Sequence, residues 1–390
     1  MAKLAGLGLG FCLVGFGAAC PAYATDGYYL IGQNARAMGM GGVGIALPQG
    51  AETATINPAG ASFVGNSFEV GVQLLTLNDE AKNLFFPGNN VNAHQFQPIP
   101  DFGLNYHLND RVTLALTSFG GGLGQSYDAP FIPGMGFSKE HANFLDIGIA
   151  PTVSVKLRDN LSVGASLGLV NQLFRASGVI VPTAFGPAQL PSHGWSYSFG
   201  AGGRFGALWR PTPQLAIGAT YITKVHTSHL HGYDKDLLAD FGGSIATPEQ
   251  YGAGISFKPT ARLTLGFDYL QTNWSGVKAF SAQAGFGWRD HANYKFGVAY
   301  EVSPWLTVRA GASLAERHFA NDYVIANVNT PGVSSRSLTV GFTTRLSQNN
   351  ELTFSGDYEL DGKVTGSGPS AGTTLDASYG FAGVSFSHHF

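Results

Sequence analysis

A closed antiparallel β-barrel that spans a membrane, fourteen strands wrapped around a small N-terminal plug, is the fold this sequence predicts. Three observations predict it. Charged residues make up 12% of the 390-residue chain, against about a quarter in a typical soluble protein, while hydrophobic residues reach 44%. Strand-length segments alternate between apolar residues and small or polar ones, and the links between them alternate between tight and long. A surface so poor in charge is not an ordinary solvated one. Past the first 24 residues no run of about 18 apolar residues offers a helical span. A chain of this kind in a bilayer has to close its sheet, because hydrocarbon leaves every sheet edge unsatisfied.

The elements follow in chain order. Residues 1–24, MAKLAGLGLGFCLVGFGAACPAYA, carry one early cation, Lys3, then an apolar run, then the small-x-small pattern Ala22-Tyr23-Ala24. They read as a signal peptide cleaved after Ala24. The rival, lipidation at Cys20, is disfavoured by Gly17 where that motif wants Leu and by Pro21 directly after the cysteine. Cys12 and Cys20 are the only cysteines and both lie in the signal, so the mature chain is expected to use neither disulfides nor thiol chemistry.

Residues 25–64 are glycine-dense and turn-prone, with GMGGVGIA preceding TINPAGAS, and are expected to form the plug. Gly39, Gly41 and Gly42 allow close backbone packing. Pro58 lacks an N–H and holds Asn57 extended, so the pair fixes a bend while the Asn57 side chain bonds backbone. Gly39 to Gly44 also spell the G-x-G-x-x-G dinucleotide fingerprint. No apolar strand precedes it and the nearest acid, Glu52, comes too soon for that role.

Residues 65–390 carry the barrel. Leu161 to Leu169 shows the pattern most clearly: Leu161, Val163, Ala165, Leu167 and Leu169 face one side, Ser162, Gly164, Ser166 and Gly168 the other. Strands are predicted at 66–77, 101–108, 111–119, 142–157, 160–175, 194–210, 213–226, 249–258, 261–272, 288–302, 304–316, 334–346, 350–360 and 378–390. Lys156, Asp268, Arg309, Arg345 and Asp357 fall on the polar face, as a wet lumen inside an apolar wall requires. Tight turns fall at Asn109-Asp110, Arg158-Asp159, Pro211-Thr212, Pro259-Thr260, Ser303 and Gln348-Asn349. Long links fall at 78–100, 120–141, 176–193, 227–248, 273–287, 317–333 and 361–377, which matches the short and long ends of bacterial barrels. The last strand ends on Phe390, a terminal aromatic of the kind that barrel-assembly machinery reads.

TDGYYLIGQNARAMGMGGVGIA followed by INPAGAS, and cassettes such as PTVSVKLRDNLSVGASLGL and ISFKPTARLTLGFDYLQTNW, resemble the FadL/TodX family of outer-membrane transporters for long-chain fatty acids and other hydrophobic compounds. The resemblance covers essentially the whole mature chain. It implies a fourteen-stranded barrel closed by a hatch containing Asn57, Pro58 and Ala59, an apolar ligand site in the lumen reached by Tyr28, Tyr29 and Leu30, and a side opening at a kink in the third strand. That kink maps to Ser118, Phe119, Gly120 and Gly121, where glycine bends a strand and leaves a gap in side-chain packing. The implied activity is passive uptake, long-chain fatty acid first and aromatic or alkane hydrocarbon second. Substrate is captured by the loops, held in the lumen, and released sideways as the hatch moves. Each methylene that leaves water for lipid gains about 0.8 kcal/mol, so no ATP is required.

The expected partners are therefore the hydrophobic substrate, the outer-membrane lipid and lipopolysaccharide, and the assembly machinery, with the protein a monomer that keeps lipid contact at its wall. Other classes fit less well. A net charge of −3 without a basic tract carries no nucleic-acid footprint. His226, His229 and His231 lie in one loop stem without a fourth ligand and read as loop residues, so no metal or cofactor is expected. No catalytic triad is assignable by spacing, which leaves a barrel-embedded lipid hydrolase unsupported. A diffusive porin should lack the plug. The loop cations Lys82, Lys139, Lys235 and Lys278 are candidates to attract a carboxylate, although scattered single cations are more often solvated.

Overall fold

The computed structural model describes residues 27–84, 90–132, 138–183 and 186–390. The expected signal segment 1–24, with Cys12 and Cys20, lies outside them. Sixteen strands follow in chain order: β1 (Ser67–Asn83), β2 (Asn90–His107), β3 (Val112–Ser126), β4 (His141–Arg158), β5 (Leu161–Ser177), β6 (Ile180–Thr183), β7 (Gly186–Gln189), β8 (Ser196–Thr212), β9 (Leu215–Ile222), β10 (Glu249–Phe257), β11 (Leu263–Asn273), β12 (His291–Ser303), β13 (Leu306–Ala315), β14 (Arg336–Arg345), β15 (Asn350–Thr365) and β16 (Thr373–His389). All but β6 and β7 form one closed antiparallel barrel of fourteen strands, in which β16 pairs with β1 and β5 with β8. β6 and β7 make a separate hairpin within the β5–β8 connection. Among the described residues no helix is long and apolar enough to cross a membrane.

The period-two pattern decides which face is which. In β5, Val163, Leu167 and Leu169 are exposed on the outside, while Ser162, Ser166 and Gly168 are buried inside. Large outward residues such as Phe199, Phe205, Trp209, Tyr300, Trp305 and Tyr358 cover the outer wall, the composition a lipid-facing surface needs. Asp268 and Asp357 point inward and are buried, whereas Arg345 sits exposed at a strand end beside Glu351. Turn chemistry closes the tight end: the Asn109 side chain accepts from the N–H groups of Arg111 and Val112, both at 2.9 Å.

Two of the expected long links are largely strand. β1 runs on to Asn83 and β2 begins at Asn90, with the pairing continuous from Ser67↔Asn105 to Lys82↔Asn90. Likewise β15 and β16 continue to Thr365↔Thr374. The sequence there, LNDEAKN against NVNAHQFQP, is mostly polar on its outward face, while Leu77, Ala81, Val91 and Ala93 point inward and are buried. Outward apolar residues thin out where the wall rises above hydrocarbon, but backbone pairing does not need them, so the strands extend past the pattern that marks the membrane-facing wall.

The plug fills the lower lumen. Within it stand a single helical turn, α1 (Ala35–Met38), and two 3-10 turns, Ala51–Thr55 and Pro58–Phe63. Asn34 caps the first by accepting from the Ala37 N–H at 2.8 Å, and Asn57 caps the last by accepting from the Ala59 N–H at 3.0 Å with Pro58 at the first position. The barrel makes room with inward glycines. A Cβ at Gly164 would fall 2.5 Å from Pro58, one at Gly297 2.5 Å from the Met40 carbonyl, and one at Gly311 would run into Gly41. Gly103, Gly206, Gly218, Gly254, Gly266, Gly341 and Gly383 repeat the arrangement on seven further strands. Gly41 and Gly42 adopt φ of 67° and 83°, the left-handed region that other residues rarely occupy.

Candidate functional site: a window in the barrel wall

Among the described residues β2 pairs with β3 only from Gly103↔Thr117 to His107↔Thr113, although β2 stays paired with β1, and β3 with β4, well above that level. The cause is legible in β2. The Phe102 N–H points toward β3, where it donates to the Ser118 hydroxyl at 2.8 Å. Backbone alternation aims positions 100 and 98 the same way, and both are proline, so the donors that would extend the ladder do not exist. Higher up β2 meets the segment that follows β3, where the Asp128 N–H donates to the Asn92 carbonyl and the Asn92 N–H to the Asp128 carboxylate, each at 2.9 Å. Between these levels the wall has a window.

The plug takes up the β3 edge that β2 leaves. The Gly122 N–H donates to the Tyr28 carbonyl at 2.8 Å, the Gly120 N–H to the Gln33 side chain at 3.2 Å, and Tyr29 bridges Gly121. Gly121 has to be glycine for this, because a Cβ there would lie 2.5 Å from the Tyr28 carbonyl.

A cavity of about 190 Å³ occupies the window. Tyr28, Leu30, Gln33 and Asp146 line its inner side, and Leu75, Pro98, Ile147 and Phe381 its outer side. Since Ile147 is 51% exposed on the lipid face, this cavity passes through the wall. Above it, under the long loops, lies a second cavity of about 590 Å³ lined by Phe131, Phe144, Phe174, Leu238, Ile245 and Phe280 among others. Leu123 borders both. The rings of Tyr28 and Phe144, with centroids 5.0 Å apart, stand between them, and Tyr28 packs edge-on against Trp274 at 5.1 Å. The Tyr28 hydroxyl donates to Asp146 at 3.3 Å, and burial, then Tyr29 and Asp146, push its pKa well up.

Below this level the plug is bonded to the wall on every side. Arg36 donates to Glu351 at 2.8 Å and Ser387 at 2.9 Å, and stands 3.5 Å from Glu69. Asp268 accepts from the N–H groups of Gly44 and Ile45 at 2.7 and 2.9 Å. Asn57 donates to the carbonyls of Ile45 and Ala207 at 2.6 and 3.2 Å. The Arg204 guanidinium donates to the Thr55 carbonyl at 2.9 Å and lies 3.8 Å over the Phe119 ring.

The residues singled out in the sequence thus separate into two groups. Tyr28, Leu30, Ser118, Phe119, Gly120 and Gly121 come together at the window, with Tyr29 beside them. Asn57, Pro58, Ala59, Gly39 and Gly41 hold the plug in the lower barrel, away from these two cavities, and Gly42 borders a smaller cavity of about 80 Å³ that adjoins the window residues Leu30, Phe119 and Gly120. His226, His229 and His231 are exposed, and no group of three His, Cys, Asp or Glu that could hold a metal occurs among the described residues. Sequence reading missed Phe144, Trp274, Phe280, Asp146 and Glu140, because nothing in their local segments marks them as neighbours in space. The proline pair and the inward glycines were signals that could have been used.

A lipid-facing barrel of fourteen strands closed by an internal plug defines the class of outer-membrane channels. The sequence matches the family model of the outer membrane protein transport protein (OMPP1/FadL/TodX) over residues 18–381, and the chain belongs to that family of outer-membrane transporters of hydrophobic compounds. Similar solved structures include the Pseudomonas putida toluene transporter TodX, at 19% identity and a TM-score of 0.74 over 93% of this chain and 99% of that one. A Pseudomonas aeruginosa FadL homologue is 16% identical with a TM-score of 0.70, covering 93% and 100%. The Ralstonia pickettii toluene transporter TbuX is 17% identical with a TM-score of 0.69, covering 93% and 99%. No match was found among the curated proteins.

Proposed function

We propose that this protein carries hydrophobic small molecules passively from the outer face of the outer membrane into the bilayer, through the upper cavity and out of the window between β2 and β3. The observation that carries the reading is the interrupted β2–β3 ladder, with one cavity that touches both the lumen and the lipid-facing side. An apolar solute gains about 25 cal/mol per Å² removed from water, so an apolar chamber under the loops concentrates it where polysaccharide would otherwise bar it. From there lipid is reached without crossing the polar lower barrel.

Residues 25–64 act as the hatch in this reading, but most of the hatch stays in place. Its bonds to the wall, each worth about 1 kcal/mol net, oppose wholesale expulsion. The expected hatch movement narrows to residues 27–30, whose withdrawal from the β3 edge joins the two cavities. Tyr28, Tyr29 and Leu30 serve as the moving ligand contacts, and Ser118 to Gly121 as the flexible rim. Family members are channels, and this reading assigns no catalysis. Long-chain fatty acids and monoaromatic hydrocarbons both belong to the class; toluene is the solute named for the similar TodX and TbuX.

Crosslinking tests the route. Pro100→Cys with Gly120→Cys places a cysteine on each side of the window in a mature chain expected to have no other. Oxidation, verified by gel mobility, should abolish uptake of toluene and oleate into a deletion strain carrying the variant, and reduction should restore it. Undiminished uptake through the crosslinked barrel would remove the lateral route.

A further inference from the structure

The walls of the two cavities differ from the rest of the lumen in the sign of their charge. Apart from tyrosines, every ionisable side chain lining either one is a carboxyl: Glu140 in the upper cavity, and Asp101, Asp146 and Glu359 in the lower. No Lys, Arg or His lines them among the described residues. The loop cations that looked suited to a carboxylate are elsewhere: Lys139, Lys235 and Lys278 are exposed to solvent and Lys82 is paired with Glu80 at 2.6 Å. Three cations stand just outside: Arg175 donates to the lining Asn143 at 2.8 Å and lies over the Trp195 ring, while in the polar floor Arg204 donates to the Thr55 carbonyl and Lys295 to the Ile31 carbonyl at 3.1 Å.

A carboxylate entering this space would shed water without meeting a cation, which is among the costliest transfers a protein offers. Glu140 reports what the upper cavity does to such a group: burial alone pushes its carboxyl up to about 7. A fatty acid that enters as the neutral acid loses a factor of ten for each pH unit above its own pKa, roughly two to three powers of ten near pH 7. A hydrocarbon, an alcohol or an unsubstituted aromatic ring loses nothing.

We propose that this conduit selects uncharged hydrophobic molecules and rejects carboxylates, so that its substrate class is neutral hydrocarbon-like compounds rather than fatty-acid anions. This rests on the transport reading above and reverses the order of substrates that the resemblance implied. Carboxyls at both levels act as the filter: the apolar lining supplies affinity, and the acidic wall supplies the sign of the discrimination.

Equilibrium binding to the purified full-length protein in a nonionic detergent tests it, with two pairs matched in shape, decanol against decanoate and toluene against benzoate, at pH 7.5. The neutral member of each pair should bind at least tenfold more tightly. E140K, which puts a cation in the upper cavity, should shift the decanoate-to-decanol affinity ratio at least fivefold toward decanoate, with unchanged heat-modifiable gel mobility as the check that the barrel is folded. Decanoate binding as tightly as decanol to the unaltered protein, or E140K failing to favour decanoate, would overturn the charge filter while leaving the transport reading intact. Absence of binding by both members of both pairs would instead count against the transport reading, and the filter would fall with it.

Discussion

The lower and upper halves of this barrel are built from the same strands and solve opposite problems. Below, the lumen is polar and full: inward glycines admit the plug backbone, and Asp268, Asn57, Arg36 and Arg204 bond it to the wall. Above, the lumen is aromatic and hollow, with cavities of about 590 and 190 Å³ around Tyr28, Phe144 and Trp274. A seal needs directional bonds that fix one arrangement, whereas a passage for apolar solutes needs non-directional contacts that many molecules can replace. On the proposed reading, the contrast accounts for a lateral rather than an axial route. The full half blocks the axis, and the hollow half borders the stretch of wall where Pro98 and Pro100 leave the β2–β3 ladder without donors.

The difference can be broken from below. Gly41→Val places a side chain on a backbone with φ of 67° and within 2.6 Å of the Ala312 and Phe296 carbonyls. Strain and overlap together should cost more than about 3 kcal/mol. The expected result is an undocked plug, read as new ion conductance in planar bilayers and as protease cleavage within residues 27–64.

Asn57→Ala is milder. It removes the cap on Ala59 and the bonds to the Ile45 and Ala207 carbonyls, for about 2–3 kcal/mol. Hydrogen exchange in residues 43–64 should speed up while the barrel strands stay protected; unchanged exchange would show that the Asn-Pro-Ala turn is not the pin it looks to be.

The smallest effect concerns the upper half. The Glu140 carboxyl is raised by burial from 4.5 to about 7, so the folded state holds its proton more tightly than the unfolded one. The sign follows: loop packing around Glu140 is fully favoured below about pH 4.5 and weakens as pH rises toward 7, by roughly 2 kcal/mol after allowance for the part that faces the cavity. Hydrogen exchange of residues 127–132 and 138–140 should accelerate over that interval in the unaltered protein and stay flat in Glu140→Gln.

Much of this design was readable without coordinates. Fourteen strands, their inner and outer faces and the tight turns follow from alternation and from residues such as Asn109, because lipid on one side and water on the other leave a period-two mark. Asn57-Pro58 likewise announces a cap and a fixed first turn. The strand ends above the membrane were not readable, since residues 78–83 and 90–97 carry mostly polar residues on the outward face and only small apolar ones such as Ala81, Val91 and Ala93 on the buried inward face, too weak a contrast to mark a strand, yet they pair continuously. Glu140 and the acids of β2, β4 and β15 gave no hint that they share one passage.

A closed, lipid-facing barrel with a leading segment suited to plug it is specified by residue order, because solvent contrast and turn stereochemistry act over a few residues and are written locally. Tertiary structure alone decided that Pro98 and Pro100 stand opposite a glycine run, that Tyr28 takes up the vacated edge, and that carboxyls from distant strands line the same cavity. Those are meetings in space between residues far apart in the chain, and strand register, with the plug's seat on the inward glycines, fixes them.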